Sequence, residues 1–204
     1  VDRSELVPGV TVIIPTVPGR DYSREWAIRS ARVQARPPEN IVVHIDRNAE
    51  GPGPTRNAML QDVATEWVAF LDDDDMFRSN HLSECLRTAE NEQADLVYPW
   101  YHCPQGDPFT GIYGGGRHDW RDPVWDAVLL QGNFIPVTVL ARTQLVRDVG
   151  GFQVVQGGPP GSEKWEDWGL WIRLRQAGAH FAHCPEQTWI WNRHQDSYRG
   201  ARWR

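Results

Sequence analysis

Trp67-Val68-Ala69-Phe70-Leu71-Asp72-Asp73-Asp74-Asp75 is the stretch whose reading decides the fold. Five apolar residues run without a break into four carboxylates. A short continuous apolar run reads as a strand buried on both faces. Unpaired carboxylates are too costly to enter such a core, so the change of character marks the strand's end. In open α/β sheets, ligands bind at the carboxyl ends of the strands. Repulsion among four adjacent aspartates is relieved by a divalent cation, and hard cations favour oxygen ligands. The competing reading is a solvated acidic turn, since charge runs are most often loops.

On the N-terminal side, Val10-Thr11-Val12-Ile13-Ile14-Pro15 and Ile41-Val42-Val43-His44-Ile45 are β-branched runs that predict strands. The first ends in the loop Thr16-Val17-Pro18-Gly19-Arg20, the second at Asp46. Residues 21–36 between them predict a helix with Trp26, Ser30 and Val33 on one side. A second helix is expected over 56–65, capped by Thr55. Beyond the aspartates, Ser79 or Asn80 opens a helix with Leu82, Leu86 and Ala89 on one face, and residues 95–98 predict a fourth strand. Strands alternating with helices imply a mostly parallel central sheet flanked by helices, a Rossmann-like α/β fold. That topology brings Thr16, Asp46 and the aspartate run to one edge.

The alternation breaks near residue 100. Residues 103–123 and 153–164 are Gly- and Pro-rich loops, and long loops in a small domain are usually functional or mobile. Residues 124–131 are a short helix or strand, 133–140 extended, 141–149 helical, and 166–177 helical up to Gly178. Two short strands are expected near 179–183 and 188–193. No internal repeat or domain boundary appears, so residues 1–204 read as a single domain with a regular first half and a loop-built second half.

The net charge of −6 argues against binding a nucleic-acid backbone. Lys164 is the only lysine, so nearly all positive charge is arginine. Cys85, Cys103 and Cys184 form neither a zinc framework nor a disulfide scaffold, which points to a reducing, cytoplasmic compartment. No apolar run is long enough for a transmembrane helix. Many of the eleven tryptophans fall in the second half, where their flat faces suit either core packing or stacking on a sugar.

Thr11-Val12-Ile13-Ile14-Pro15-Thr16, His44-Ile45-Asp46-Arg47-Asn48, Gly53-Pro54-Thr55-Arg56-Asn57-Ala58 and Phe70-Leu71-Asp72-Asp73-Asp74-Asp75 together resemble the nucleotide-binding half of family 2 glycosyltransferases of the GT-A fold. Gly150-Gly151-Phe152, Glu166-Asp167-Trp168-Gly169-Leu170-Trp171-Ile172-Arg173 and Arg193-His194-Gln195-Asp196-Ser197 extend the resemblance into the second half. It implies a donor-binding half over 1–100 and an acceptor-binding, catalytic half over 101–204. Pro15, Thr16, Asp46, Arg56, Asp72 and Asp73 would line the nucleotide, with Asp73 at the ribose. Asp74 would hold Mn2+ or Mg2+ at the diphosphate, with His194 completing the shell, while Asp72 and Asp75 order the loop. Asp167 would be the general base of an inverting transfer, and Trp165, Glu166 and Trp168 would meet the acceptor.

The resemblance implies one sugar moved from a nucleotide-diphosphate donor, uridine diphosphate favoured, to a glycan, lipid, small-molecule or protein acceptor. The QxxRW-type segment of processive synthases is missing. A sugar-nucleotidyltransferase is the nearest alternative, but the loop after the first strand offers only Gly19 and Arg20 for phosphates. A non-catalytic carbohydrate-binding module leaves Asp46 and the aspartate run unexplained.

Overall fold

The elements run β1 (Val7–Thr16), α1 (Asp21–Arg32), β2 (Asn40–Ile45), α2 (Pro52–Leu60), β3 (Thr65–Phe70), β4 (Met76–Phe77), α3 (His81–Glu92), β5 (Leu96–His102), α4 (Val124–Gln131), β6 (Leu140–Arg142), α5 (Thr143–Asp148), α6 (Glu166–Gln176) and β7 (Phe181–Ile190). They come from a computed structural model that describes residues 6–106, 118–153 and 165–193. The strands form one seven-stranded sheet in the order β2-β1-β3-β6-β5-β7-β4.

β3 is buried on both faces, as its apolar run requires. Val68 and Phe70 pack with Ile13 of β1, Met59 and Leu60 of α2 and the apolar face of α6. Trp67, Ala69 and Leu71 turn to the opposite side, among Val12 and Ile14 of β1, Ala27 and Ala31 of α1 and Leu82 and Cys85 of α3. Alternate residues of a strand point to opposite faces, so one uninterrupted apolar segment serves both layers.

The expectation of a mostly parallel sheet is corrected to a mixed one. β1 is parallel to β2 and β3, and β5 to β7. β6 is antiparallel to both β3 and β5, and β4 to β7. Five strands still run one way, as alternation with helices demands. The two that run against them are β4, two residues long, and β6, which falls where a helix was expected to begin. The two strands expected near 179–183 and 188–193 are a single strand, whose pairing with β5 shifts register around Trp100.

Two helix readings also change. α1 buries Ala27, Ser30 and Ala31, whereas Trp26 is 43% and Val33 61% exposed. Small side chains let the helix lie close against the sheet, and the larger ones face outward. α2 begins at Pro52, with Gly51 rather than Thr55 before it; the Thr55 hydroxyl instead donates to the Gly51 carbonyl at 2.7 Å.

Candidate active site

Parallel pairing of β1, β2 and β3 carries their ends to one edge. Thr16 lies in register with Ile45, and the Asp46 N–H donates to the Thr16 carbonyl at 2.7 Å. Pro15 is buried in β1 opposite His44. Both Asp46 carboxylate oxygens accept N–H groups of their own loop, from Asn48 at 3.2 Å, Glu50 at 3.1 Å and Gly51 at 2.9 Å. Burial opposes ionisation there, but these bonds prevail and hold Asp46 below the usual carboxylate range. Asp46 thus shapes the loop that delivers α2.

The four aspartates divide by burial. Asp73 and Asp75 are 2% and 4% exposed; Asp72 and Asp74 are only partly covered. Asp73 accepts the Thr16 hydroxyl and an Arg20 N–H, each at 2.5 Å, yet burial still pushes it up. Asp75 accepts the Asn192 N–H at 2.9 Å, and the Asn192 side-chain amide donates to the Asp74 carbonyl at 2.8 Å. Asp72 pairs with Arg56 at 2.5 Å. Burial, then the charges of Asp72 and Asp73, push Asp74 up to about 6, with Arg20 at 3.6 Å acting against them.

Arg56 occupies a bridge rather than an open cleft. Its side chain is 4% exposed, and its second N–H arm donates to Glu166 at 2.8 Å. Burial opposes its charge; Asp72 and then Glu166 restore it and raise the group above its ordinary value. The ring of Phe152 lies 5.1 Å from the guanidinium carbon. Beside it, Asn57 accepts the Phe152 N–H at 2.7 Å and donates to the Phe152 carbonyl at 2.9 Å. Gly151, at φ +68°, has no room for a side chain, because a Cβ would stand 2.3 Å from Asn57 Oδ1. Arg173 of α6 donates to the carbonyls of Val149, Gly151 and Gln153. The separate sequence matches at 56–57, 150–152 and 166–173 are therefore one assembly.

Asp167 sits in the first turn of α6. One carboxylate oxygen accepts the Trp168 N–H at 2.7 Å, the other the Asn133 side-chain amide at 3.1 Å. Burial and then Glu166 push Asp167 up to about 7, against the Trp168 bond, Arg56 and Asn133. Trp165 is 39% exposed just before the helix, whereas Trp168 is 3% exposed and its indole N–H donates to the Leu129 carbonyl at 2.7 Å. Trp168 is thus corrected from an acceptor platform to a core anchor. Glu166 is engaged by Arg56.

Asn57, Asn133 and Asn192 escaped the sequence reading, and Arg20 entered it only as a phosphate contact of the alternative enzyme class. Arg20 and Asn57 lie beside or inside matched motifs, a signal within reach. Asn133 is a single polar residue with no pattern around it, and Asn192 stands just before the matched segment that begins at Arg193. His194, residues 107–117 and residues 154–164 lie outside the described residues.

Among the described residues, no three His, Cys, Asp or Glu side chains gather as a self-sufficient metal site. Cations that serve diphosphates are commonly held by one or two carboxylates, with the phosphates themselves as further ligands. Asp74 fits that role: it is partly open, and its neighbours' charges disfavour its ionisation until a cation offsets them.

Solved structures share this fold. TarS from S. aureus (residues 1–349) in complex with UDP-GlcNAc superposes with a TM-score of 0.64 at 16% identity, over 92% of this chain and 59% of that one. A mannosyltransferase from Pyrobaculum calidifontis, PcManGT, in complex with GDP-Man and Mn2+, gives 0.64 at 14% identity, over 97% and 60%. The chain thus spans about three-fifths of the length of each. No curated protein matches it. The model of the family described as Glycosyl transferase family 2 matches residues 19–137, more than half of the 204 residues, and the chain belongs to that family.

Proposed function

We propose that this chain moves a single sugar from a nucleotide-diphosphate donor to an acceptor hydroxyl, with inversion at the sugar carbon and a divalent cation, Mn2+ or Mg2+, at the diphosphate. The observation that carries the reading is the placement of Asp167. A part-buried carboxylate held by Asn133 and Trp168 is joined through Glu166, Arg56 and Asp72 to the acidic loop. A group that protonates near neutrality suits a general base.

The roles follow from that arrangement. Asp46 and Asp73 shape the two loops that meet the nucleoside, with Pro15 and Thr16 as the floor beneath them. Arg20, at the acidic loop, supplies positive charge for phosphate. Asp74 would hold the cation, and His194 follows Asn192, which is fastened to Asp74 and Asp75. The cation, when bound, neutralises the leaving diphosphate as a Lewis acid. Asp167 takes the proton of the acceptor hydroxyl as its oxygen attacks the sugar carbon and the bond to the diphosphate breaks. Attack from the side opposite the leaving group inverts that carbon. Trp165 offers an exposed face for the acceptor, whether glycan, lipid, small molecule or protein.

The relatives solved with UDP-GlcNAc and with GDP-Man and Mn2+ support a nucleotide-sugar donor, with uridine diphosphate favoured. Residues 6–100 form the donor side and the later elements the acceptor side. Three free thiols suit a reducing, cytoplasmic setting. No helix among the described residues is long and apolar enough to cross a membrane.

Calorimetry with UDP and GDP, with and without manganese, tests the donor side. Asp74→Asn is expected to lose the manganese-dependent part of binding. Asp167→Asn is expected to keep binding and to lose transfer from UDP-N-acetylglucosamine or GDP-mannose by roughly 10²–10⁴-fold. Unchanged transfer by Asp167→Asn would falsify its role as base.

A further inference from the structure

α6 presents Trp168 and Trp171 one turn apart, and both indole N–H groups leave the helix for the same neighbouring segment. Trp168 donates to the Leu129 carbonyl at 2.7 Å and Trp171 to the Ile135 carbonyl at 3.1 Å. These carbonyls bracket Asn133, four residues before it and two after. Both indoles are buried, Trp168 at 3% and Trp171 at 0%, as are Leu129 and Ile135. The stretch from Leu129 to Ile135 is thus clipped to α6 at both ends, and Asn133 within it faces the residue just before the first clip. Its amide reaches Asp167 across 34 positions of sequence.

We propose that Asn133 is the positioning residue for Asp167: its side-chain N–H and the Trp168 backbone N–H take one carboxylate oxygen each, fixing the carboxylate's rotation so that the remaining lone pairs face the acceptor hydroxyl. The proposal rests on the reading of Asp167 as the base. A carboxylate bound on one oxygen can swing about its Cβ–Cγ bond; one bound on both cannot. Base catalysis needs the accepting oxygen within hydrogen-bond reach of the proton, and small misplacements of a reacting group cost orders of magnitude in rate.

The bond has a sign as well as a direction. A donor to the carboxylate favours its ionised form. The charged groups facing Asp167 are Glu166 on its own helix, which disfavours ionisation, and Arg56 from α2, which favours it. Asn133 adds to the Arg56 side without adding charge. Among the described residues its Oδ1 is buried with no hydrogen-bond partner, so the contact that orients the amide is the one to Asp167.

The test is a pH titration of aspartate-labelled protein by carbon NMR, with the Asp167 carboxyl assigned by its loss in Asp167→Asn. It is read on the protein alone and needs no donor. Asn133→Asp keeps the shape and removes the donor; Asn133→Ala removes both. The Trp168 indole N–H signal reports that the clip survives in each. The Asp167 midpoint is expected to rise by roughly one pH unit in Asn133→Ala and further in Asn133→Asp, where a like charge replaces the donor.

Transfer from UDP-N-acetylglucosamine or GDP-mannose is expected to fall roughly 10–100-fold in kcat, at unchanged donor KM, with the rising limb of the pH profile moved in step. Wild-type midpoints in both variants, with the indole signal intact, overturn the proposal. Failure of the base reading is distinct: Asp167→Asn then retains transfer, whatever Asn133 does.

Discussion

Arg56 and Glu166 meet at 2.8 Å although 110 positions separate them in sequence. The same guanidinium holds Asp72, so one buried cation links the end of β3 to the start of α6. Removing it leaves two carboxylates facing each other across the gap. Arg56→Met is expected to cost on the order of 2 kcal/mol, less than a fully buried pair because Asp72 and Glu166 keep contact with water. Urea unfolding measures it. Arg56→Lys is expected to recover only part of the loss, since an ammonium cannot span both carboxylates in a fixed fork. Equal stability of the Met variant and the wild type would remove the strut.

Asp167 gives the chain a pH signature. It is protonated up to about 7 when folded, against an ordinary value of 3.8. Its contribution to stability is therefore fully present below about pH 4 and is lost as the pH rises toward 7. Asp167→Asn lacks this slope. Above pH 7 the variant is expected to be more stable than wild type by on the order of 2–4 kcal/mol, the gap closing toward pH 4. Urea midpoints at four pH values decide it; a pH-independent gap rules the linkage out.

Asn57 and Gly151 are coupled by space. Asn57→Ala removes both bonds to Phe152, an expected loss of about 1–3 kcal/mol. Gly151→Ala is expected to cost at least as much, from its positive φ and from the collision with Asn57 Oδ1. In the double variant the collision is gone, so its loss should be smaller than the sum of the two single losses. Strict additivity in a double-mutant cycle would show that the turn strain alone sets the cost.

Trp168→Phe keeps most of the packing and removes one N–H. The Leu129 carbonyl then lies buried without its donor, an expected loss of about 1–3 kcal/mol. Amide exchange is expected to accelerate at residues 129–135 before it does so in β1 or β3. Uniform acceleration across the chain would mean that the indole bond serves the whole core rather than this segment.

The end of β3 was legible because the switch from apolar to acidic residues is written in consecutive positions. The edge that collects Thr16, Asp46 and the aspartates followed from strand-helix alternation, which depends on local periodicity. β6 was not legible: three residues carry too short a period, and their strand character comes from β3 and β5 on either side. Partners of single residues were hidden for the same reason. Asn192 meets Asp75 across 117 positions, and the matched segment that begins at Arg193 does not say which distant residue its neighbour will reach. Arg56 stood out within its motif; its burial between two carboxylates depended on where α6 lands.

The late position of β6 and β7 has a consequence for biosynthesis. As the chain leaves the ribosome, β1, β2 and β3 pair first, and β3 then presents an apolar edge until Leu140–Arg142 emerges. β5 waits for the same residues on one side and for Phe181–Ile190 on the other. Unpaired edges recruit strands of other chains. Yield in a cell should therefore depend on translation speed and chaperone supply between residues 70 and 190, and fragments that stop short of β6 should accumulate as aggregates rather than as a smaller soluble domain.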